Sequence, residues 1–133
     1  MSERIETTAI RNLIHNEEYC RKVLPFIKEE YFTDRLEKLI FTEIYQFVNK
    51  YNNLPTKESL SIEMNTNKGV SEDEYKKMNE IISSLNPEPI NLDWLVETTE
   101  VWCKDRAIHN AILGGIQILD GKDKDHTPEY LPE

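Results

Sequence analysis

Phosphate binding is the first chemistry the glycines raise. Gly114-Gly115 stands upstream of Gly121-Lys122, and a glycine loop ending in lysine could wrap backbone N–H groups around a phosphate. The spacing rules it out. Five residues separate Gly115 from Gly121 where the loop needs four, and Lys122 is followed by Asp123 in place of Ser or Thr. The stretch also continues a helical pattern instead of following a strand. Metal chemistry fares no better: His15, His109 and His126 stand on separate elements without H-x-x-x-H spacing. A helix surface accounts for His15 and His109. Glu72, Asp73 and Glu74 could work as acid–base pairs, but the favourable field of a helix amino terminus explains them. Trp94 and Trp102 could stack on a base, yet their apolar neighbours make both of them core anchors. Cys20 and Cys103 lie far apart on apolar helix faces and are expected to be reduced core thiols. No residue is therefore put forward as catalytic, cofactor-binding or metal-ligating.

The composition sets the class. The chain has 133 residues, the size of one domain, with 38% hydrophobic residues and only 4 glycines. Strand-type alternation is rare, so the fold is expected to be all-α, with about six helices. Nothing approaches 18 consecutive apolar residues, which excludes a membrane-spanning helix. The start, Met1-Ser2-Glu3-Arg4, has no apolar segment of the secretory kind, and the cytoplasm is the expected location. With 25 acidic against 16 basic residues the net charge is −9. A surface that neutralises phosphates needs the opposite balance, so little or no direct DNA binding is expected. The acidic surface would suit a basic protein partner, and equally suits solubility alone.

The elements that must position these residues follow from periodicity. A first helix spans about Ile5 to His15, and Asn16 caps a second carrying Tyr19, Cys20, Val23 and Leu24 until Pro25 ends or bends it. Tyr31 and Phe32 plug the core from a short turn. Thr33 or Asp34 caps a third helix whose face is Leu36, Ile40, Ile44, Phe47, Val48 and Tyr51. Thr56 caps a short fourth helix around Leu60 and Met64. Ser71 and Glu74 form a capping box that opens a fifth, with Tyr75, Met78, Ile82 and Leu85 on one side. Asn91 caps the sixth.

That sixth helix is the dominant feature. It runs about 30 residues to Gly121, a length of about 45 Å. The rest of the chain should form a ball roughly 34 Å across. Its first half, with Leu92, Trp94, Leu95, Val96, Val101, Trp102 and Cys103, suits a core. Trp102 is expected against the third-helix face containing Ile44 and Phe47, and Trp94, Trp102, Ile44 and Phe47 are the expected core anchors. Its second half carries a narrower stripe, Ile108, Ile112, Ile116 and Leu119. Two readings are open for the stripe: an arm that projects from its domain and meets another helix, or a kink at Gly114-Gly115 that buries it at home. A head over about 1–103 and an arm over about 104–121 make up a single domain. Thr127-Pro128 and Leu131-Pro132 both resemble helix starts, which suggests that the chain is a fragment of something longer.

Two segments then carry a family resemblance. One joins Glu18-Tyr19, Val23-Leu24-Pro25-Phe26-Ile27, Glu30-Tyr31-Phe32 and Tyr51-Asn52-Asn53-Leu54-Pro55-Thr56. The other joins Trp94-Leu95-Val96-Glu97-Thr98-Thr99-Glu100-Val101-Trp102 to Asp105-Arg106-Ala107 and Asn110-Ala111. Together they resemble the amino-terminal domain of the DnaB-like replicative helicases of T-even-like bacteriophages. The resemblance implies a helical head followed by a helical hairpin, the sixth helix being the hairpin's first arm. It implies a collar for a homohexameric ring; with the hairpin's second arm not in this chain, the uncovered stripe Ile108, Ile112, Ile116 and Leu119 is expected to pair the isolated piece as a dimer. Primase and a helicase loader are the implied partners, and the cytoplasm of an infected bacterium the implied setting. ATP, Mg2+ and 5′-to-3′ unwinding would belong to a separate RecA-like domain, leaving no enzyme activity here. The alternative is a stand-alone acidic adaptor that binds a protein partner through its long helix.

Overall fold

The structure is a computed structural model that describes residues 4–67 and 69–119, with side chains described through Gly115. Six α-helices are present among them: α1 (Ile5–His15), α2 (Glu17–Val23), α3 (Arg35–Tyr51), α4 (Lys57–Asn65), α5 (Glu72–Ser84) and α6 (Leu92–Leu119). A 3₁₀ turn at Glu29–Tyr31 lies between α2 and α3, and no strand occurs among the described residues. The all-α expectation is met. The helix starts at Thr127-Pro128 and Leu131-Pro132 lie outside the described residues, as does His126.

Local chemistry fixes where these helices begin. Asn16 Oδ1 accepts from the Tyr19 N–H at 3.1 Å, Asp34 Oδ1 from Leu36 at 2.8 Å and Asn91 Oδ1 from Trp94 at 2.9 Å. Thr56 with Ser59, and Ser71 with Glu74, form reciprocal capping boxes. Asn52 ends α3 in the left-handed region at φ 56°, a conformation asparagine tolerates better than most residues.

The body is organised around α3, which packs on α1, α4, α5 and the 3₁₀ turn. The helix α6 lies across α1, α2 and the same turn. One apolar core joins these layers, with Leu13, Tyr19, Ile40, Ile44, Leu60 and Met78 fully enclosed. One buried carboxylate ties the start of the chain to its centre. Glu37 on α3 accepts from Arg4 Nη2 at 2.8 Å and from Thr7 Oγ1 at 2.7 Å. Buried polar atoms of this kind are found with hydrogen-bond partners.

Three core expectations need correction. Trp102 is buried, but its ring meets the 3₁₀ turn and not Phe47: Phe32 lies 5.1 Å away edge-on, and Tyr31 lies 6.2 Å away. Phe32 in turn stacks on Phe41 at 5.0 Å, which links Trp102 to α3 through that ring. Phe47 is half-buried and rests on Tyr51 at 4.7 Å. Val48, four residues after the enclosed Ile44, takes the inward place instead. Trp94 is no core anchor, being 53% exposed, and Val101 is 54% exposed. Neighbours on a helix point about 100° apart, so the enclosed Leu95 and Trp102 turn Trp94 and Val101 away from the body.

Candidate interaction face on the long helix

The helix α6 presents two separate apolar faces. The inner face runs through Leu92, Leu95, Thr99, Trp102 and Cys103, then turns polar at Arg106 and Asn110. It is fastened to α2 by a hydrogen-bonded lock. Thr99 Oγ1 donates to the Leu95 carbonyl at 2.7 Å, so it accepts from the Tyr19 hydroxyl, 2.8 Å away. Both side chains are fully enclosed, and burial pushes the Tyr19 phenol well above its usual range, which keeps its proton in place. Thr99→Val is expected to leave that hydroxyl without an acceptor and to cost about 1–3 kcal/mol. Adding Tyr19→Phe should recover most of the loss, because removing both partners leaves nothing unpaired. Chemical denaturation of the two variants checks this, and equal losses in both would contradict it.

The outer face carries Trp94, Val101, Ile108 and Ile112. At 3.6 residues per turn these four fall within an arc of about 40° and extend over about 27 Å. Ile108 is 59% exposed and Ile112 56% exposed, so the described half of the expected stripe is not buried at home. Gly114 and Gly115 sit within the continuous helix, and a Cβ at either would meet nothing within 4 Å. The side chains of Ile116 and Leu119 lie outside the described residues. Leu113, 46% exposed, lies off the arc.

Sequence reasoning found the far half of this stripe but assigned its near half, Trp94 and Val101, to the core. The signal was there: Trp94, Val101 and Ile108 repeat every seven residues, the spacing of a helix–helix seam. Arg106 and Asn110, by contrast, carry no such signal. Arg106 Nε donates to the Tyr31 carbonyl at 3.1 Å and Asn110 Nδ2 to the Glu30 carbonyl at 3.2 Å.

Elsewhere on the body the surface is shallow. A broad depression along α5 passes Glu72, Tyr75, Asn79 and Ser83. Among the described residues no three His, Cys, Asp or Glu side chains are grouped to hold a metal ion. No described helix is long and apolar enough to cross a membrane. Cys20 and Cys103 are both buried, unpaired thiols. Burial raises them to about 11 and about 12.

No family model matches the chain. It is, however, 33% identical over 109 residues to a DnaB-like replicative helicase of Enterobacteria phage T4. This similarity supports a DnaB-like N-terminal region. The match takes in 82% of this chain but only 23% of the T4 protein, so this DnaB-like region spans about a quarter of its relative's length. It relates the chain to a replicative helicase.

Proposed function

We propose that this DnaB-like region is the collar of a hexameric replicative helicase. It joins neighbouring copies through the outer face of α6 and receives the primase, and a helicase loader, on its outer surface. The single observation that carries this reading is the similarity to the T4 helicase. The exposed stripe on α6 supports it independently, since an apolar face about 27 Å long has a natural use between helices. In this reading residues up to about 103 form the head and those from about 104 to 121 the arm.

ATP-driven unwinding in the 5′-to-3′ direction then belongs to another part of the parent protein. ATP and Mg2+ do not fit the described residues, which offer neither the glycine spacing of a phosphate loop nor a metal-ligand group. The net charge of −9 leaves direct DNA binding weak, so the strand is held by the motor. The setting is the cytoplasm of an infected bacterial cell.

Deleting residues 1–133 from the parent tests the proposal. The shortened protein is expected to keep nucleotide hydrolysis but to lose stable hexamers and any stimulation of unwinding by primase. Mass photometry and a forked-duplex assay report the two losses. A shortened protein that still forms hexamers and still responds to primase would overturn the collar reading. Loss of hydrolysis in the isolated motor, with ATP turnover by the 133-residue chain, would overturn the division of labour.

A further inference from the structure

We propose that Arg106 and Asn110 form a latch that fixes the angle at which α6 leaves the body. The apolar inner face ends at Trp102 and Cys103, and the helix continues sixteen residues beyond, to Leu119. From Leu92 to Cys103 the packed length is about 16 Å; from Leu92 to Asn110 it is about 27 Å. The angular play of a rod varies inversely with the spacing of its supports. The two polar contacts therefore cut the freedom left by the apolar ones by about two-fifths.

The acceptors explain why the latch closes here. In the 3₁₀ turn the N–H groups of Tyr31 and Phe32 bond to the carbonyls of Lys28 and Glu29. The next two carbonyls, of Glu30 and Tyr31, come at the end of the turn, where no further turn follows to supply donors. Asn110 Nδ2 and Arg106 Nε supply them. Arg106 Nη2 also reaches Asn110 Oδ1 at 3.4 Å, so the two side chains hold each other in place. The turn is a firm base, because Tyr31 and Phe32 are buried and their rings press on Trp102. The same turn thus supports the inner face of α6 through its rings and the outgoing helix through its carbonyls.

The latch stands on these contacts alone; only its use, setting the geometry of the ring, rests on the collar reading. Its test does not involve assembly. Nitroxide labels at Glu58→Cys on α4 and Ala111→Cys on α6 occupy exposed positions, while the native thiols are buried. Dilution with unlabelled chain confines the measured electron–electron distance to one molecule. The latched protein is expected to give one narrow distance distribution. With Arg106→Ala and Asn110→Ala together it should broaden about 1.6-fold, following the ratio of supported lengths. An unchanged width would overturn the proposal and leave the apolar contacts in sole control of the angle. Should the double variant lose its helical circular dichroism, Asn110→Ala alone is measured by the same criterion. Failure of the collar reading would appear in the hexamer and primase assays and leave this distance untouched.

Discussion

Replacing Trp102 with alanine is expected to lower the melting temperature by roughly 10–20 °C. Truncating an enclosed tryptophan costs about 3–5 kcal/mol. In a domain of this size each kcal/mol lowers the midpoint by about 3–5 °C. The site explains why the cost should be near the upper end. Trp102 is the block on which both Tyr31 and Phe32 rest, and Phe32 passes the contact on to Phe41 of α3. Its removal loosens α6, the 3₁₀ turn and α3 together. The indole Nε1 has no hydrogen-bond partner among the described residues, so no polar bond is lost to blur the measurement. Trp94 supplies the control, being the same residue type on the same helix with half its surface in water. Trp94→Ala should move the midpoint by only a degree or two. Differential scanning calorimetry separates the pair, and similar midpoints for both variants would show that the core is not built as described.

The second large effect concerns association. Ile108→Glu with Ile112→Glu should abolish pairing of the chain while leaving the body folded. The magnitudes limit how tight that pairing can be. Covering a half-exposed Ile, Val or Trp gains about 1–1.5 kcal/mol, half of the full burial value. Four such side chains per copy, eight per pair, give about 8–12 kcal/mol before the cost of association, which is itself about 4–15 kcal/mol. The isolated chain should therefore dimerise only in the high micromolar to millimolar range. A two-fold antiparallel arrangement is the simplest closed form, bringing Trp94 of each copy near Ile112 of the other. Within a ring, linkage to neighbours raises the effective concentration, and the same modest face then suffices. Sedimentation equilibrium up to about 1 mM measures the association. A wild-type chain that stays monomeric throughout, or a double variant that pairs as well as wild type, would remove self-association from the outer face of α6.

Where sequence reading succeeded, the physics was local. Asn16, Ser71 with Glu74, and Asn91 were legible as helix starts because a cap is made between residues two or three apart. Pro25 marked the end of α2 for the same reason. Trp94 and Val101 were misplaced because apolar character does not say which side of a helix the body occupies. That depends on α1 and α2, which lie some eighty residues earlier. Glu37 gave no sign that it would be buried, since its partners Arg4 and Thr7 are thirty or more residues away. Arg106 and Asn110 were equally silent: their acceptors are backbone carbonyls, which every residue has. The family resemblance stood on stretches of ordered similarity, and the T4 relative agrees with it.

The two cysteines have a practical consequence. A thiol attacks an electrophile or an oxidant only as the thiolate, and both thiols here are buried and held protonated well above neutral pH. Neither should react while the chain is folded. Cys20 is on α2 and Cys103 on α6, two layers that meet directly. Cys20 borders a depression between α2 and α3, whereas Cys103 lies on the inner face of α6, so access to Cys103 requires α6 to lift. The protein thus carries its own clock for opening: the rate at which a maleimide or disulfide reagent consumes Cys103 follows how often α6 lifts away.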